Sequence, residues 1–344
     1  MLVENDSLVM SRPTVLVENS TWNNIGDGFY QSALQAVFKG LYPHWNVVPS
    51  AGPIRRSHRP GRAFSKNAYG VMDDYISDLL VLSGPIINSQ FMDDYATQIR
   101  RHTDRGGRYI LCSVHFNADR SCAREVFAFM KSHPPIGIWT RDEESYCAFE
   151  GAVDAPLYSG VCAASFIGEF YSPARLAVEP YVALSIHEEP EPNLEVVGTD
   201  EIVDVEIERR LNRLPWKYAR YFDFWNRRPE RAGHFKIVRT HHCPGYRYAL
   251  LTFNQPNTFV SFNPVNYFEI YKNASFTVTN RVHAAVAALA LGGAVRYFGN
   301  TSRAGIFRRL GLDKSNVMRL SPSVVKSELS YVQDWLRAVV GKLC

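Results

Sequence analysis

The chain has 344 residues, which is long for one ordinary hydrophobic core and predicts two domains of similar size. Hydrophobic residues make up 46% and charged residues 21% of the chain, a composition typical of a globular protein in water. No apolar run approaches the roughly 18–20 residues of a membrane span. The net charge of +4 is too small to indicate nucleic-acid binding by itself.

Cysteine usage and the N-terminus indicate the compartment. The six cysteines are scattered, without a Cys-x-x-Cys pair or the spacing of metal ligands. We therefore expect a reduced, cytoplasmic protein without a structural metal. Residues 1–13 lack the charged-then-apolar order of a signal peptide and are predicted to form a disordered extension.

The first half of the chain alternates short apolar strands with helices. Strands are predicted at 14–18, 46–49, 79–83, 108–115 and 136–140, and helices at 27–41, 69–77, 91–103, 121–132 and 142–149. Such alternation favours a parallel sheet covered by helices on both faces. Residues 14–172 are therefore predicted to form an N-terminal Rossmann-like domain.

The second half repeats this rhythm after Pro173 and Pro180, where we place the domain boundary. Strands are predicted at 181–187, 235–240, 258–262, 275–278 and 294–298, and helices at 200–225, 265–273, 301–310 and 323–340, with one more after 278. Residues 173–322 are predicted to form a second Rossmann-like domain. The fold prediction is thus α/β, with two doubly wound domains facing a cleft and a C-terminal helix (323–344) packing back on the first domain.

The junction after strand 275–278 is the most informative segment. Thr279 or Asn280 is the predicted N-cap, which places Arg281 and His283 in the first turn of the following helix. A helix N-terminus favours anions, and a guanidinium beside an imidazole would hold a carboxylate or phosphate there. The alternative is a surface arginine and a histidine with a structural hydrogen bond.

A second basic feature is the segment 55–66, RRSHRPGRAFSK, whose glycine and prolines predict a mobile loop. It would act as a clamp for an anionic ligand or contact membrane-surface phosphates. A solvated loop without a binding function is the alternative.

Ligands of doubly wound sheets bind outside the carboxyl ends of the strands. The cationic or titratable residues in those loops are Asp27, His115, Arg141, Asp142, His187, His241, His242, Arg281, His283 and Arg303. A cleft rich in arginine and histidine suits a small, multiply charged anion.

The chain resembles the polysaccharide pyruvyltransferases over most of residues 14–312. The resemblance lies in the Asn-x-Gly-Asp loop at Asn24–Asp27, the strand ending at Pro85, the Arg-Asp-x-x-Ser segment Arg141–Ser145, the Arg-x-His-Ala segment Arg281–Ala284, and Arg303 before Leu310-Gly311.

The resemblance implies a GT-B-like fold and transfer of the pyruvyl group of phosphoenolpyruvate to a hexose of a cell-surface polysaccharide or glycolipid precursor. The product would be a cyclic pyruvate ketal, phosphate would be released, and no cofactor or metal would be needed. The N-terminal domain would hold the acceptor and the C-terminal domain the donor. The implied roles are catalysis by His283 and Asp27, donor binding by Arg281, Arg141, Arg303 and His241, and acceptor binding by Asn24 and His115.

Several alternatives stay open at this point. Arg141 could pair with Asp142 or Glu144, Arg303 could be solvated, Asp27 could be an ordinary acid at a helix start, and either of His241 and His242 could have a structural role. A sugar-nucleotide glycosyltransferase of the same fold would also use basic residues here, and a non-catalytic glycan- or anion-binding module is a third possibility. The expected location is the cytoplasm, with contact to the inner face of the membrane through the 55–66 loop as an option.

Overall fold

The computed structural model of the chain describes residues 12–18, 24–50, 77–186, 191–197, 204–208, 229–242 and 256–341. The predicted N-terminal extension lies outside these ranges except for its last two residues, and the predicted helix 69–77 lies outside them except for Ser77. The basic loop 55–66 and His187 lie wholly outside the described residues.

The first half of the chain forms a parallel six-stranded sheet. Its strands are β1 (Thr14–Glu18), β2 (Asn46–Ser50), β3 (Leu79–Ile87), β4 (Arg108–Phe116), β5 (Ile138–Thr140) and β6 (Leu157–Ser159). The spatial order is β2-β1-β3-β4-β5-β6, and every pairing is parallel. Because β2 and β3 lie on opposite sides of β1, the sheet has a topological switch point between β1 and β3.

Helices connect these strands as the apolar periodicity predicts. They are α1 (Ile25–Leu41), α2 (Thr97–Asp104), α3 (Arg120–Ser132), α4 (Glu143–Phe149) and α5 (Ile167–Phe170), with a π-helical turn at Met92–Ala96 and a 3₁₀ turn at Ala163–Phe166. Side chains of Asn24, Asp119 and Asp142 cap α1, α3 and α4 by accepting backbone N–H groups of the first turn.

The second half forms another sheet and a separate hairpin. Its strands are β7 (Tyr181–Ser185), β8 (Asn193–Val197), β9 (Asp204–Glu208), β10 (Arg231–Ala232), β11 (Phe235–His241), β12 (Thr258–Val260), β13 (Phe276–Thr279) and β14 (Val295–Tyr297). The order is β10-β11-β7-β13-β14 with β12 also on β11, and only β10 runs antiparallel within the sheet. The chain leaves β7 first toward β11 and later toward β13, so a second switch point lies between β7 and β13.

The helices of this half are α6 (Val265–Asn273), α7 (Val282–Ala290), α8 (Gly305–Arg309) and α9 (Pro322–Val340), with a 3₁₀ turn at Ser302–Ala304 before α8. The last helix lies against the first half of the chain. Trp335 stacks on Tyr158 of β6 with ring centroids 5.6 Å apart, and the Tyr42 hydroxyl donates to the Leu336 carbonyl across 3.2 Å.

Two predicted elements are wrong. The predicted helix 200–225 is contradicted at 204–208, because β8 and β9 form an antiparallel hairpin in which Val205 and Ile207 alternate with acidic residues, a period of two that suits a strand. The strand predicted at 79–83 ends too early, because the residues after 83 form the second part of β3, which passes through a bulge at Gly84. Gly84 has a φ of +87°, and an added Cβ there would collide with the Tyr30 hydroxyl.

The two sheets share one apolar core. A single cluster of buried side chains runs from Val15 and Val17 of β1 through Phe29 of α1 to α6 and α7 of the second half. The Phe29 ring centroid lies 5.5 Å from that of Phe268 on α6. Separate clusters cover the outer faces of the two sheets. Because this interface is apolar and continuous, it fixes the two switch points relative to each other.

Candidate active site

Residues from both switch points meet at the start of α1. Asn24 Oδ1 accepts from the Gly26 amide across 3.3 Å, and the same oxygen accepts from Arg281 Nη1 across 3.3 Å. The Ile25 amide donates to the His242 carbonyl across 2.8 Å. The carboxyl end of β1 in the first sheet therefore faces the carboxyl ends of β11 and β13 in the second.

His283, on the first turn of α7, lies at the centre of this junction. Its Nε2 lies 3.2 Å from Arg141 Nη1, and its Nδ1 lies 3.7 Å from Asp27 Oδ1. A guanidinium can only donate, so Nε2 accepts, and a neutral ring then carries its proton on Nδ1, on the side of Asp27. The edge of the Tyr30 ring packs against the imidazole with centroids 5.1 Å apart.

The environment of His283 disfavours its protonated form. Burial lowers its pKa well below the ordinary value of 6.5, and positive charge on Arg141, Arg303, Arg281 and His115 lowers it further. The imidazole is therefore neutral near pH 7 in the unliganded protein. An anion placed among these cations would cancel their effect and favour protonation.

Arg141 follows β5 and is fully buried. Its Nε and Nη2 have no hydrogen-bond partner among the described residues. Of the two ion pairs considered from sequence, the one with Asp142 is present, with 3.9 Å between Nε and Oδ2, an oxygen that also bonds to His115. The exposed Glu144 contacts Arg308 instead. A buried charge is costly unless it is paired and hydrogen-bonded, and here two guanidinium nitrogens remain available for a further acceptor.

Arg303 lies in the 3₁₀ turn before α8. Its backbone amide donates a hydrogen bond to the Thr301 hydroxyl. The residue is half-buried rather than solvated. Burial and the charge of Arg141 lower its pKa, while Asp27 opposes this effect. Three arginines from three different loops therefore act on the same imidazole.

The helix start at α7 differs from the prediction that Thr279 or Asn280 is the N-cap. The Thr279 hydroxyl donates to the Ser185 carbonyl across 2.6 Å and accepts from the Arg281 amide across 2.9 Å. It therefore ties β13 to β7, and the N-cap is Arg281, whose side chain makes no capping hydrogen bond. His283 is in the first turn as predicted, whereas Arg281 lies just before it.

His115 and Asp142 form a second polar pair in the first sheet. His115 Nδ1 lies 2.7 Å from Asp142 Oδ2, and Asp142 Oδ1 accepts from both the amide and the hydroxyl of Ser145. Burial alone would raise the pKa of Asp142, but the hydrogen bonds from His115 and Ser145 hold it below its ordinary value. The pair lies after a bulge in β4 at which Ser113 adopts a φ of +56°.

The two adjacent histidines after β11 have different environments. His242 is buried, with its Nε2 2.5 Å from the Tyr271 hydroxyl and its ring edge-on to Phe29. Burial raises the pKa of Tyr271 to about 12, so this hydroxyl stays protonated and can donate to Nε2. His241 is half-buried, and its carbonyl accepts from the Tyr267 hydroxyl. The donor-binding role expected of His241 stays a prediction.

Sequence reasoning missed one contributor to this geometry and the contacts of two residues that it had named. Tyr30 was not singled out, although its position one helical turn after Asp27 places it on the same face of α1. Gly26 allows the close approach of His283, because an added Cβ would lie 3.1 Å from the His283 Cβ. Asp142 was considered as a partner of Arg141, and its bond to His115 had no sequence signal.

No helix within the described residues is long and apolar enough to span a membrane. In the same part of the chain, no cluster of three or more His, Cys, Asp or Glu residues has the arrangement of a metal site.

The fold is similar to known structures at low sequence identity. A protein from Listeria monocytogenes assigned as a UDP-N-acetylglucosamine 2-epimerase aligns with a TM-score of 0.53 and 10% identity, over 97% of this chain and 89% of that one. A protein of uncharacterised function from Klebsiella pneumoniae gives 0.44 and 11%, over 87% and 88%. The ADP-heptose heptosyltransferase II of E. coli gives 0.35 and 13%, over 96% and 99%. The predicted GT-B-like fold class is confirmed.

Sequence comparison identifies the family. No sequence among curated proteins matches the chain. The sequence profile of the polysaccharide pyruvyl transferases matches residues 24–302, a range that contains Asn24, Asp27, Arg141, Arg281 and His283. The chain therefore belongs to the polysaccharide pyruvyl transferase family.

Proposed function

We propose that this pyruvyltransferase takes the pyruvyl group of phosphoenolpyruvate and transfers it to two hydroxyls of one hexose, forming a cyclic ketal and releasing phosphate. The acceptor is a sugar of a cell-surface polysaccharide or glycolipid precursor. The observation that carries the proposal is the contact between buried Arg141 and His283 across the two sheets. This contact places a strong anion binder beside a group that can transfer a proton.

The donor is bound through its negative charges. Phosphoenolpyruvate has a carboxylate and a phosphate attached to the same carbon, C2, and each accepts bidentate hydrogen bonds from a guanidinium. Arg141, Arg281 and Arg303 supply the guanidinium groups, and the first-turn amides of α7 supply additional donors. Arg281→Lys is expected to keep only part of the wild-type affinity for the donor, because an ammonium cannot form the two parallel hydrogen bonds of a guanidinium.

Donor binding prepares His283 as the general acid. The anion neutralises the arginines that lower the pKa of His283, and it competes for the Arg141 Nη1 that bonds Nε2 in the unliganded protein. The freed Nε2 then takes a proton, and Asp27 near Nδ1 stabilises the imidazolium. This proton goes to the methylene carbon of the donor, and C2 gains oxocarbenium character.

The remaining steps form the ketal. One sugar hydroxyl attacks C2, the bond between C2 and the phosphate oxygen breaks, and a second hydroxyl of the same sugar closes the ring. Positioned proton transfer of this kind contributes roughly 10²–10⁴-fold to a rate.

Two alternatives compete with this proposal: a glycosyltransferase that uses a sugar nucleotide, and a module that binds a glycan or an anion without catalysis. Thermal shift with phosphoenolpyruvate and with nucleotide sugars separates the first, because only the true donor stabilises the protein strongly. Mass spectrometry of sugar acceptors incubated with phosphoenolpyruvate tests catalysis. Absence of the added pyruvate mass across such acceptors would contradict the proposal.

The proposed location is the cytoplasm, where phosphoenolpyruvate is the available donor. Contact with the inner face of the membrane through the basic segment 55–66 belongs to the same proposal. It is supported by the five Lys and Arg residues of that segment, Arg55, Arg56, Arg59, Arg62 and Lys66.

A further inference from the structure

His115 carries an unused proton-accepting group inside the site. Its Nδ1 is held 2.7 Å from Asp142 Oδ2, while its Nε2 is buried and has no hydrogen-bond partner among the described residues. The proposed reaction also lacks one participant, since a sugar hydroxyl must lose its proton as it attacks C2. An acceptor-binding role for His115 leaves that requirement unmet.

We infer that His115 is the general base that removes the proton of the first attacking hydroxyl, with Asp142 as the positioning residue that orients the imidazole. The inference rests on the proposed function. It gives His115 a catalytic role in place of simple contact with the acceptor.

The other candidate bases are engaged elsewhere. Asp27 lies 3.7 Å from His283 Nδ1, where it supports the general acid. His242 Nε2 lies 2.5 Å from the Tyr271 hydroxyl, and His283 Nε2 accepts from Arg141. His115 therefore combines an unpartnered ring nitrogen with a fixed opposite nitrogen.

Asp142 makes protonation of His115 possible in a cationic site. Arg141 lies beside this pair, with its Nε 3.9 Å from Asp142 Oδ2. Asp142 stays ionised because hydrogen bonds from His115 and Ser145 lower its pKa, and it can therefore stabilise the charge that the imidazole gains. The bound donor anion acts in the same direction.

The two histidines divide acid and base roles. Positive charge at His115 lowers the pKa of His283, so a neutral His115 favours the protonated His283 that the proposed acid role needs. His283 comes from the second sheet and His115 from the first. A protonated His283 and a neutral His115 can therefore act on the donor and the acceptor from opposite sides of the junction.

The proton balance closes with these two residues. His283 gives its proton to the donor methylene, and His115 takes the proton of the first hydroxyl as its oxygen bonds to C2. His115 returns this proton to the phosphate oxygen as the bond from C2 to that oxygen breaks. The second hydroxyl then forms the ketal, and its proton restores His283. Phosphate leaves with one proton, and both histidines are ready for another cycle.

The test uses His115→Asn in the full chain, because the Asn amide nitrogen keeps the donor to Asp142 while the Nε2 position is lost. We expect the rate of pyruvyl transfer to fall by about 10²–10⁴-fold, with the thermal shift by phosphoenolpyruvate unchanged. His44→Asn, at an exposed histidine after α1, is the matched control and should keep the wild-type rate. A second variant, His115→Ala, should recover part of the lost rate of pyruvyl transfer when imidazole is added to the solution. The recovered rate should increase in proportion to the concentration of neutral imidazole.

The outcomes separate this inference from the proposed function. A wild-type protein that transfers no pyruvyl group overturns both. A wild-type protein that is active, with His115→Asn transferring at the same rate, overturns the inference alone. The inference is also overturned if His115→Asn lowers both the rate of pyruvyl transfer and the thermal shift by phosphoenolpyruvate. His115 would then act by positioning the arginines that bind the donor. Because His115→Ala reports through rescue, the inference remains testable if the Asn variant fails to fold.

Discussion

Arg141 Nη1 lies 3.2 Å from His283 Nε2, and this contact joins the end of β5 in the first sheet to the first turn of α7 in the second. Both side chains are buried, and both belong to loops that the doubly wound topology places at ligand-binding edges. Burial and the charge of Arg141 lower the pKa of His283 and keep the ring neutral, and two guanidinium nitrogens of Arg141 have no partner among the described residues. We expect a site built in this way to bind an anion.

The first prediction concerns Arg141→Met. Removing a buried guanidinium that has two unpartnered nitrogens should leave the free energy of unfolding unchanged or raise it by about 1–2 kcal/mol. Affinity for phosphoenolpyruvate should fall by about 10–100-fold, because charge-assisted hydrogen bonds are lost. Denaturant unfolding and thermal shift measure the two effects. Arg308→Met, at an exposed arginine paired with Glu144, is the control and should change neither by much. A strongly destabilised Arg141→Met protein would contradict the assignment of Arg141 as a ligand-binding group.

The second prediction is proton uptake when the donor binds. The unliganded His283 is neutral because burial and three arginines lower its pKa, and a bound anion reverses the arginine contribution. Near pH 7 the wild type should take up more protons per bound phosphoenolpyruvate than His283→Gln, by up to about one. Isothermal titration calorimetry in buffers of different ionisation enthalpy measures this difference. Equal proton uptake by the two proteins would argue against His283 as the acid.

The third prediction concerns the pH dependence of stability. In the unfolded chain His283 binds a proton near its ordinary pKa of 6.5, whereas the folded protein keeps it neutral to a much lower pH. The unfolded state thus binds more protons below pH 6.5, and the folded state loses stability as the pH falls. Relative to His283→Gln, the wild type should lose up to about 1.4 kcal/mol per pH unit below this value. Urea unfolding at about pH 7.5 and pH 5.5 tests this, and parallel profiles would show that the imidazole is not buried in its neutral form.

The fourth prediction compares two glycines of α1. Gly26→Ala places a Cβ 3.1 Å from the His283 Cβ and 3.3 Å from its Nδ1, so the imidazole must shift. We expect pyruvyl transfer to fall by about tenfold, since small displacements of a proton donor are costly. Gly40→Ala meets no atom within 4 Å and should raise stability by about 0.5–1 kcal/mol without affecting transfer. Steady-state kinetics and thermal unfolding measure both, and wild-type kinetics for Gly26→Ala would contradict the close contact.

Much of the fold could be predicted from local pattern. The helix predicted at 265–273 has those bounds in the structure, and β1 is also as predicted, because strong apolar periodicity and flanking turn residues define such elements locally. The hairpin β8–β9 was missed because the alternation of β9 was interpreted as part of the predicted helix 200–225. β6 was missed because three residues carry too little pattern.

The residues that meet at this junction could be named from the sequence, but the contacts between them could not. Arg281 and His283 were found because they stand at a strand-to-helix junction, and Arg141 because it follows a strand of a doubly wound sheet. That Arg141 would bond His283, at a sequence separation of 142 residues, had no local signal. The same is true of the bond between His115 and Asp142, since each residue alone resembles an ordinary loop residue or helix cap.

The sequence by itself determined the α/β class, the alternation of elements and the loops that carry charge, because these follow from periodicity and capping within a few residues. The tertiary structure alone decided which charges meet. The apolar core shared by the two sheets sets the distance between their carboxyl ends, and burial at that junction sets the protonation state of His283. Packing and desolvation act between residues far apart in the chain, so no local pattern encodes them.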